Sequence, residues 1–520
     1  MTEVTRPAIL RRELTKLDLI IIGVSGAVGT GVLFGTAGMA ALAGPGVICA
    51  WLLGGLMYLT VGLTYIDLNA LYPEEGGPSR YSLYTYGPVT NMINALCDLL
   101  WYLFIPPIEA LGAVTGLNSF YPHLVNSSGD PTFLGSLAGI VLMIVFFPFN
   151  YFGIKTLSHS TNFLGVIKLA LYTFVALGFV SLGHWVNFHG MGGFLPYGIG
   201  GIIAAVPLGM YAFGSLRVLP DFTEEVHDAR VIPSAILWSL LGQTVLYALF
   251  GVALVAGLQW SGVHILPGNW SSLAKLQGNP FVLLASTSGR EWLLGFVLVI
   301  AIIGPFVTGY IYQGAGSRIV FAMARSRIFN RRLLEISKNH GIPAISLLLT
   351  MIVGVIIAFI AAPLPSIYNL LGDAVVAGYL GFAVNPPIMI ALRIQGKSGC
   401  FTSKFLSTIV AGLAFISASL IVYWSGWPDV PYSASLVLML ASLIFFMGRV
   451  KRGLKNAIWY IGYILFLTLM AYIGSEGALQ VVNFYWGSVL VALVSVLVFL
   501  PWGVGSRQEV SEQVPFIPGQ

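Results

Sequence analysis

The chain has 520 residues, of which 57% are hydrophobic and 9% charged, with a mean hydropathy of +0.87 and a net charge of +5. A soluble globular protein of this length does not hide that much apolar surface, so the composition excludes one and points to an all-α polytopic membrane protein. The small positive charge implies no nucleic-acid partner and reflects where lysine and arginine sit between the apolar runs. The 61 glycines and 27 prolines suit close helix packing and deliberate helix breaks. Cys49, Cys97 and Cys400 are too scattered for a zinc or disulfide framework. With no phosphate-binding loop and no His-Glu-x-x-His motif, neither enzyme chemistry nor a metal or cofactor is expected.

Apolar runs of about 18 residues or more predict about fourteen spans. They lie near 17–43, 47–72, 88–120, 132–151, 160–183, 200–220, 232–258, 291–325, 344–362, 366–393, 403–424, 432–448, 456–474 and 480–501. Residues 1–16 are expected to form one cytoplasmic tail and 502–520 the other. The basic residues decide the orientation. With the N-terminus inside, the cytoplasmic side receives Arg6, Arg11, Arg12, Lys16, Arg80, Lys155, Arg230, the 318–338 cluster and the basic residues from Arg393 to Arg507. The outer loops keep only Lys275 and Arg290. That asymmetry predicts both termini inside a cell membrane.

The first span is interrupted by Gly23, Gly26, Gly29 and Gly31. Each glycine costs about 1 kcal/mol in a helix relative to alanine, so the run reads as a helix meant to open at mid-bilayer. The sixth span is interrupted by Pro207, Gly209, Gly214 and Pro220. Two interrupted segments, five spans apart and running in opposite directions, predict an inverted five-helix repeat. The repeats would occupy about 17–185 and 200–395, giving a ten-helix transporter core over 17–395, with four additional helices over 396–501.

A half-helix that starts after Gly29-Thr30-Gly31 presents free N–H groups and a positive dipole end, which suit a carboxylate. Carbonyls near Ser25–Ala27, and others around Tyr211–Gly214, would form an acceptor cage for an ammonium. The pair of features reads as an α-amino-acid site; close packing by small residues is the competing reading. Lys168 falls within the fifth span, where a charge is functional by default and snorkelling toward the cytoplasm is the alternative. A buried lysine that gains and loses a proton would supply proton coupling. Glu109, mid-way along the third span, and Arg217, after the sixth-span break, either pair with each other or face the transport path as gating or selectivity residues. Asp67, Asp98 and Asp373 are also intramembrane. Tyr211 is placed to close over a substrate, and the run from Asp221 to Arg230 reads as a solvated loop or a gate.

Four stretches carry a family resemblance: Gly26–Gly46; Tyr72-Pro-Glu-Glu-Gly-Gly-Pro-Ser-Arg-Tyr…Gly87-Pro88; Phe213-Gly-Ser-Leu-Arg…Pro233; and Gly316-Ser-Arg-Ile-Val-Phe-Ala-Met-Ala-Arg-Ser-Arg. In order and spacing they resemble the amino acid–polyamine–organocation (APC) superfamily of permeases, over roughly residues 15–395. The resemblance implies a LeuT-type inverted-repeat fold and secondary active transport by alternating access. It implies that Thr30 and Gly31 meet a substrate carboxylate, that the carbonyls of Ala27, Tyr211 and Gly214 meet the amine, and that Lys168 stands where sodium binds in relatives. The candidate substrate residues are thus Ala27, Gly29, Thr30, Gly31, Tyr211, Ala212, Phe213, Gly214 and Ser215, with Lys168 as the coupling residue. The chain departs from the family pattern at His227-Asp228-Ala229 and at Arg217. The expected function is proton-coupled amino-acid transport across the bilayer. The alternatives are an amino acid/polyamine exchanger, for which Thr30 would lose its rationale, and a sensor that kept the fold without transporting.

Overall fold

The computed structural model describes residues 10–126, 129–190, 192–276, 278–361 and 375–509. Among them every regular element is a helix, and only isolated bridges such as Leu14 with Val226 pair extended backbone. Among the described residues, twelve helices are long and apolar enough to cross a membrane. That count takes Thr30–Leu71 as one run of 42 residues and leaves out the shorter apolar helix Ala344–Ile360. The turn at Gly44-Pro45-Gly46 divides the long run into Thr30–Ala43 and Val47–Leu71, and at φ +58° Gly44 adopts a backbone that suits glycine. The tenth expected span is described from residue 375 onward; Asp373 lies outside the described residues.

The first span is broken as expected. Lys16–Ala27 and Thr30–Ala43 are separate half-helices joined by Val28 and Gly29. The first half-helix begins with a reciprocal cap: Thr15 Oγ1 accepts from the Asp18 amide, and the Thr15 amide donates to Asp18 Oδ2 at 2.7 Å. Around the break, backbone carbonyls take donors from other helices. Gly23 receives Gln243 Nε2 at 3.3 Å, and Gly29 receives the Tyr172 hydroxyl at 3.2 Å. A break at membrane depth persists only where neighbours satisfy its backbone in this way.

The sixth span takes a different form. Gly198–Gly209 is α-helical, Met210–Arg217 is a 3-10 run of eight residues, and Val218–Asp221 resumes the α-helix. Runs of 3-10 helix longer than three or four residues are uncommon and mark hinges or strain. Tyrosines from two neighbouring helices hold this one: Tyr58 donates to the Met210 carbonyl at 2.8 Å and Tyr247 to the Ala212 carbonyl at 2.7 Å. The two interrupted spans pack on each other, with Thr30–Ala43 against Gly198–Gly209 and Lys16–Ala27 against the 3-10 run. The core surrounds them, with Trp51, Tyr58, Phe213, Tyr247 and Phe382 as its aromatic centre.

Candidate functional site

At the first break, an internal carboxylate occupies the position expected for a substrate's. Glu109 is buried on the Pro88–Leu117 helix. Its Oε2 accepts from the Thr30 amide at 3.4 Å, and its Oε1 from the Thr30 hydroxyl at 3.2 Å and the Tyr211 hydroxyl at 3.4 Å. The N-terminus of Thr30–Ala43 thus holds an anion, as its dipole favours, and the protein itself supplies it. Gly29 makes the approach possible, since a Cβ there would sit 2.6 Å from Glu109 Oε1. Gly31 does the same for the sixth span: its Cβ would meet Tyr211 Cδ1 at 3.1 Å and Ala212 Cα at 3.2 Å.

An internal ammonium also stands at this break. The ammonium at the end of the first half-helix belongs to Lys168, which donates to the Ser25 carbonyl at 2.7 Å, the Gly304 carbonyl at 2.7 Å and Thr308 Oγ1 at 3.0 Å. Lys168 is wholly buried and ties the first half-helix to the Glu291–Arg325 helix, which excludes snorkelling. The Ala27 carbonyl accepts from the Gly29 amide at 2.9 Å and retains a second lone pair. In the sixth span the Ala212 carbonyl is taken by Tyr247, and Phe213 stacks on Tyr58 with ring centroids 5.3 Å apart. Gly214 lies against the Trp101 ring, where no Cβ would fit. The Ser215 side chain lies outside the described residues.

Glu109 and Arg217 do not pair with each other. Arg217 donates to Asp98 Oδ1 at 2.9 Å and to the Gly378 carbonyl at 2.8 Å, with its guanidinium against the Trp101 and Phe382 rings at 4.7 and 4.3 Å. Arg217 and Asp98 are both buried, so the pair fastens the third, sixth and tenth spans together. Asp67 is also structural: it receives Arg393 Nη2 at 2.6 Å and the Phe401 amide at 3.0 Å.

The charged run after the sixth span divides in two. His227 and Asp228 are exposed, whereas Asp221 and Glu225 are fully buried in a closed polar seam. Arg318 donates to both Glu225 oxygens at 2.7 and 3.0 Å and lies 3.5 Å from Glu75; Arg325 grips Glu224 at 2.5 and 3.1 Å; Arg80 reaches Glu74 at 2.9 Å; and Tyr102 donates to Asp221. Gly76, at φ +62°, lets the 72–80 loop approach the Arg318 carbonyl, which a Cβ would meet at 2.9 Å. Burial raises the carboxyls of Glu74 and Glu75 above the usual range, and at Glu75 the nearby Glu225 adds to the shift. At Glu224 burial acts in the same direction, but the Arg325 guanidinium prevails and holds the carboxyl below its usual value. The first and last described stretches are tied to neighbouring loops: the Leu14 amide donates to the Glu225 carbonyl at 3.0 Å and the Gln508 amide to the Thr85 carbonyl at 2.8 Å.

The Thr30–Gly31 terminus is reached from the opposite face. A cavity of about 450 Å³ is lined by Thr30, Gly31, Gly112, Thr115 and Tyr211. A larger one, about 710 Å³, shares Thr30 and Gly112 with it and extends to Asn118, Asn279 and Lys275.

A family profile described as amino acid permease matches residues 14–447. The chain belongs to this family. It is 29% identical over 504 residues to the aspartate-proton symporter of Bacillus subtilis, covering 94% of this chain and 95% of the relative. It is 26% identical over 518 residues to the glutamate/serine transporter AimA of the same organism, covering 96% and 94%. It is also 26% identical over 540 residues to mouse cationic amino acid transporter 4, covering 98% and 81%. The chain is an amino-acid transporter and a multi-pass membrane protein.

Several residues that build the permease's central site escape a reading of its sequence. Asp98 is one carboxylate among several within spans, and nothing local marks it as the partner of Arg217. Tyr58, Tyr172 and Tyr247 read as apolar filler, although each hydroxyl satisfies the backbone of a broken helix. The signal available was a tyrosine placed mid-span, away from the interfacial belt where its polar tip usually sits. Thr308 is marked only by its distance from any loop.

Proposed function

We propose that the permease carries an amino acid together with a proton by alternating access, with Thr30 and Gly31 receiving the substrate carboxylate. One observation carries this reading: Glu109 already lies on the N-terminus that the substrate requires. Two carboxylates at one helix end repel each other. At about 4 Å and an effective dielectric of 20 the repulsion is about 4 kcal/mol. Substrate arrival and protonation of Glu109 therefore favour each other, which is the linkage a symporter needs. Tyr211 and Thr30 are released from Glu109 as it becomes neutral and are free to turn to the substrate.

Lys168 supplies the second half of the device. An ammonium has three N–H donors, and three oxygens surround it. A neutral amine has two, so loss of the proton frees one tie between the first half-helix and the Glu291–Arg325 helix. The name of the aspartate-proton symporter supports coupling to protons, and the names of all three relatives support a substrate that bears an α-amino acid group.

In this reading the ten helices of 17–395 form the transporter core and 396–501 an addition. The seam around Arg318 is the closed cytoplasmic gate, both termini are cytoplasmic, and the protein sits in the cell membrane. The basic residues gathered at that face support the orientation. The amine-exchange reading gives the helix end at Thr30 no part in holding the amine.

A thermal-shift screen of the purified protein tests the reading, using the twenty amino acids, several polyamines and the methyl esters of any hits. A ligand that binds the folded state raises the midpoint by mass action. Stabilisation by a free amino acid and not by its ester is the expected result. Stabilisation by polyamines alone, or equally by the ester, refutes the carboxylate site.

A further inference from the structure

We propose that a second cavity, which includes Tyr211 in its lining but not Thr30, binds a primary ammonium group, and that the C-terminal helices exist in part to build it. Its volume is about 470 Å³. Pro207, Leu208 and Tyr211 of the sixth span form one wall, and Val375 and Tyr379 another. The rest comes from two turns beyond residue 395: Tyr423–Gly426 with Asp429, and Gly474–Glu476 with Phe484 and Tyr485.

The lining has a definite chemical character. Among the described residues it contains two carboxylates, Asp429 and Glu476, and no lysine, arginine or histidine. The carboxylates share the lining with the aromatic residues Tyr379, Tyr423, Phe484 and Tyr485. Gly426, at φ +78°, keeps the floor low: a Cβ there would lie 3.1 Å from Glu476 Oε2. Aromatic faces attract organic cations through the ring quadrupole, and a flanking carboxylate adds a charged acceptor. A small hydrated metal ion gains nothing from such walls, and an anion is repelled. A primary alkylammonium satisfies both features, with its N–H groups on the carboxylates and its carbon chain on the rings.

Tyr211 connects this cavity with the central site. It lines both the 470 Å³ space and the 450 Å³ space beside Gly31, and its hydroxyl donates to Glu109 at 3.4 Å. A ligand's ammonium in the outer cavity lies one ring away from the helix end that receives a carboxylate. The inference concerns binding alone and stands apart from the transport reading.

The test uses the full chain in detergent and n-butylammonium chloride as the probe. Sodium chloride and sodium butyrate at equal ionic strength serve as controls. Calorimetry and thermal shift should give saturable butylammonium binding that survives Gly29→Val, a substitution whose added bulk meets Glu109 at the central site and no residue of this cavity's lining. Asp429→Asn combined with Glu476→Gln should weaken that binding by about tenfold or more. If the double variant does not melt cooperatively, Glu476→Gln alone carries the test, because Glu476 is exposed in a turn and its loss leaves the fold intact. Undiminished binding in the carboxylate variant overturns the proposal. So does an equal shift with sodium chloride, or binding abolished by Gly29→Val and retained without the carboxylates, which would place the amine in the central site.

Discussion

Replacing Glu109 by glutamine isolates the charge at the first break with little change of shape. In the wild type the side chain receives the Thr30 amide, the Thr30 hydroxyl and the Tyr211 hydroxyl within 3.2–3.4 Å. A glutamine oxygen can still accept from part of this set, so the variant should fold. Its effect on substrate is large. Removing a carboxylate about 4 Å from the incoming one removes about 4 kcal/mol of repulsion at a dielectric of 20, and each 1.4 kcal/mol is tenfold in affinity. Above the pH at which Glu109 ionises, the variant should bind its amino acid one to three decades more tightly than the wild type. At low pH the two should converge. If one proton is taken up with each substrate, log Kd in the wild type rises by about one per pH unit, and the variant should be flat. Equilibrium binding to protein in lipid nanodiscs across a pH series, with L-aspartate and L-glutamate as the first ligands, measures both quantities. A variant that keeps the wild-type slope refutes the coupling role of Glu109. One that binds more weakly at high pH shows that Glu109 assists the substrate instead of competing with it.

Lys168→Ala removes the donor from three buried oxygens, each costing about 1–3 kcal/mol when left unsatisfied. Proteoliposomes should lose pH-driven accumulation while keeping substrate exchange, and full accumulation would remove Lys168 from coupling. Gly31→Val adds bulk where a Cβ already meets the Ala212 backbone at 3.2 Å. Substrate affinity should fall at least about tenfold, with the melting midpoint little changed; normal affinity would count against the half-helix site. Arg217→Ala strands Asp98 in the interior and should destabilise by about 3–5 kcal/mol, and adding Asp98→Leu should recover much of that loss in thermal melts. Failure of the double variant to recover would mean that Arg217 does more than balance Asp98. Glu224 titrates below the usual carboxylate range in the folded protein, so its pairing with Arg325 adds stability above the unfolded value, and that contribution disappears as pH falls through the folded value. Glu224→Gln should therefore lower the midpoint at pH 7 by an amount worth about 1 kcal/mol, and the gap should close as pH falls through that lowered folded value; a gap independent of pH would exclude the ion pair as its cause.

Length, hydropathy and the placement of glycine and proline along the chain determined the all-helical membrane class, the approximate spans, the two interrupted helices and the family. These are local or one-dimensional properties: a run of apolar residues commits a segment to the bilayer whatever its neighbours are. The break at Val28–Gly29 was legible for the same reason, since four glycines weaken one helix wherever it packs. Pairings between distant spans were decided only by tertiary structure. Glu109 and Arg217 both read as buried charges in need of a partner, and the chain alone offered each to the other. In the folded protein, 79 residues separate Glu109 from the Thr30 terminus it fills, and 119 separate Arg217 from Asp98. The same holds for the seam between Arg318 and Glu225, where part of a run that read as a solvated loop or a gate is buried. Burying a charge is tolerable only with a partner at hydrogen-bond distance, and which partner arrives is set by how the helices pack.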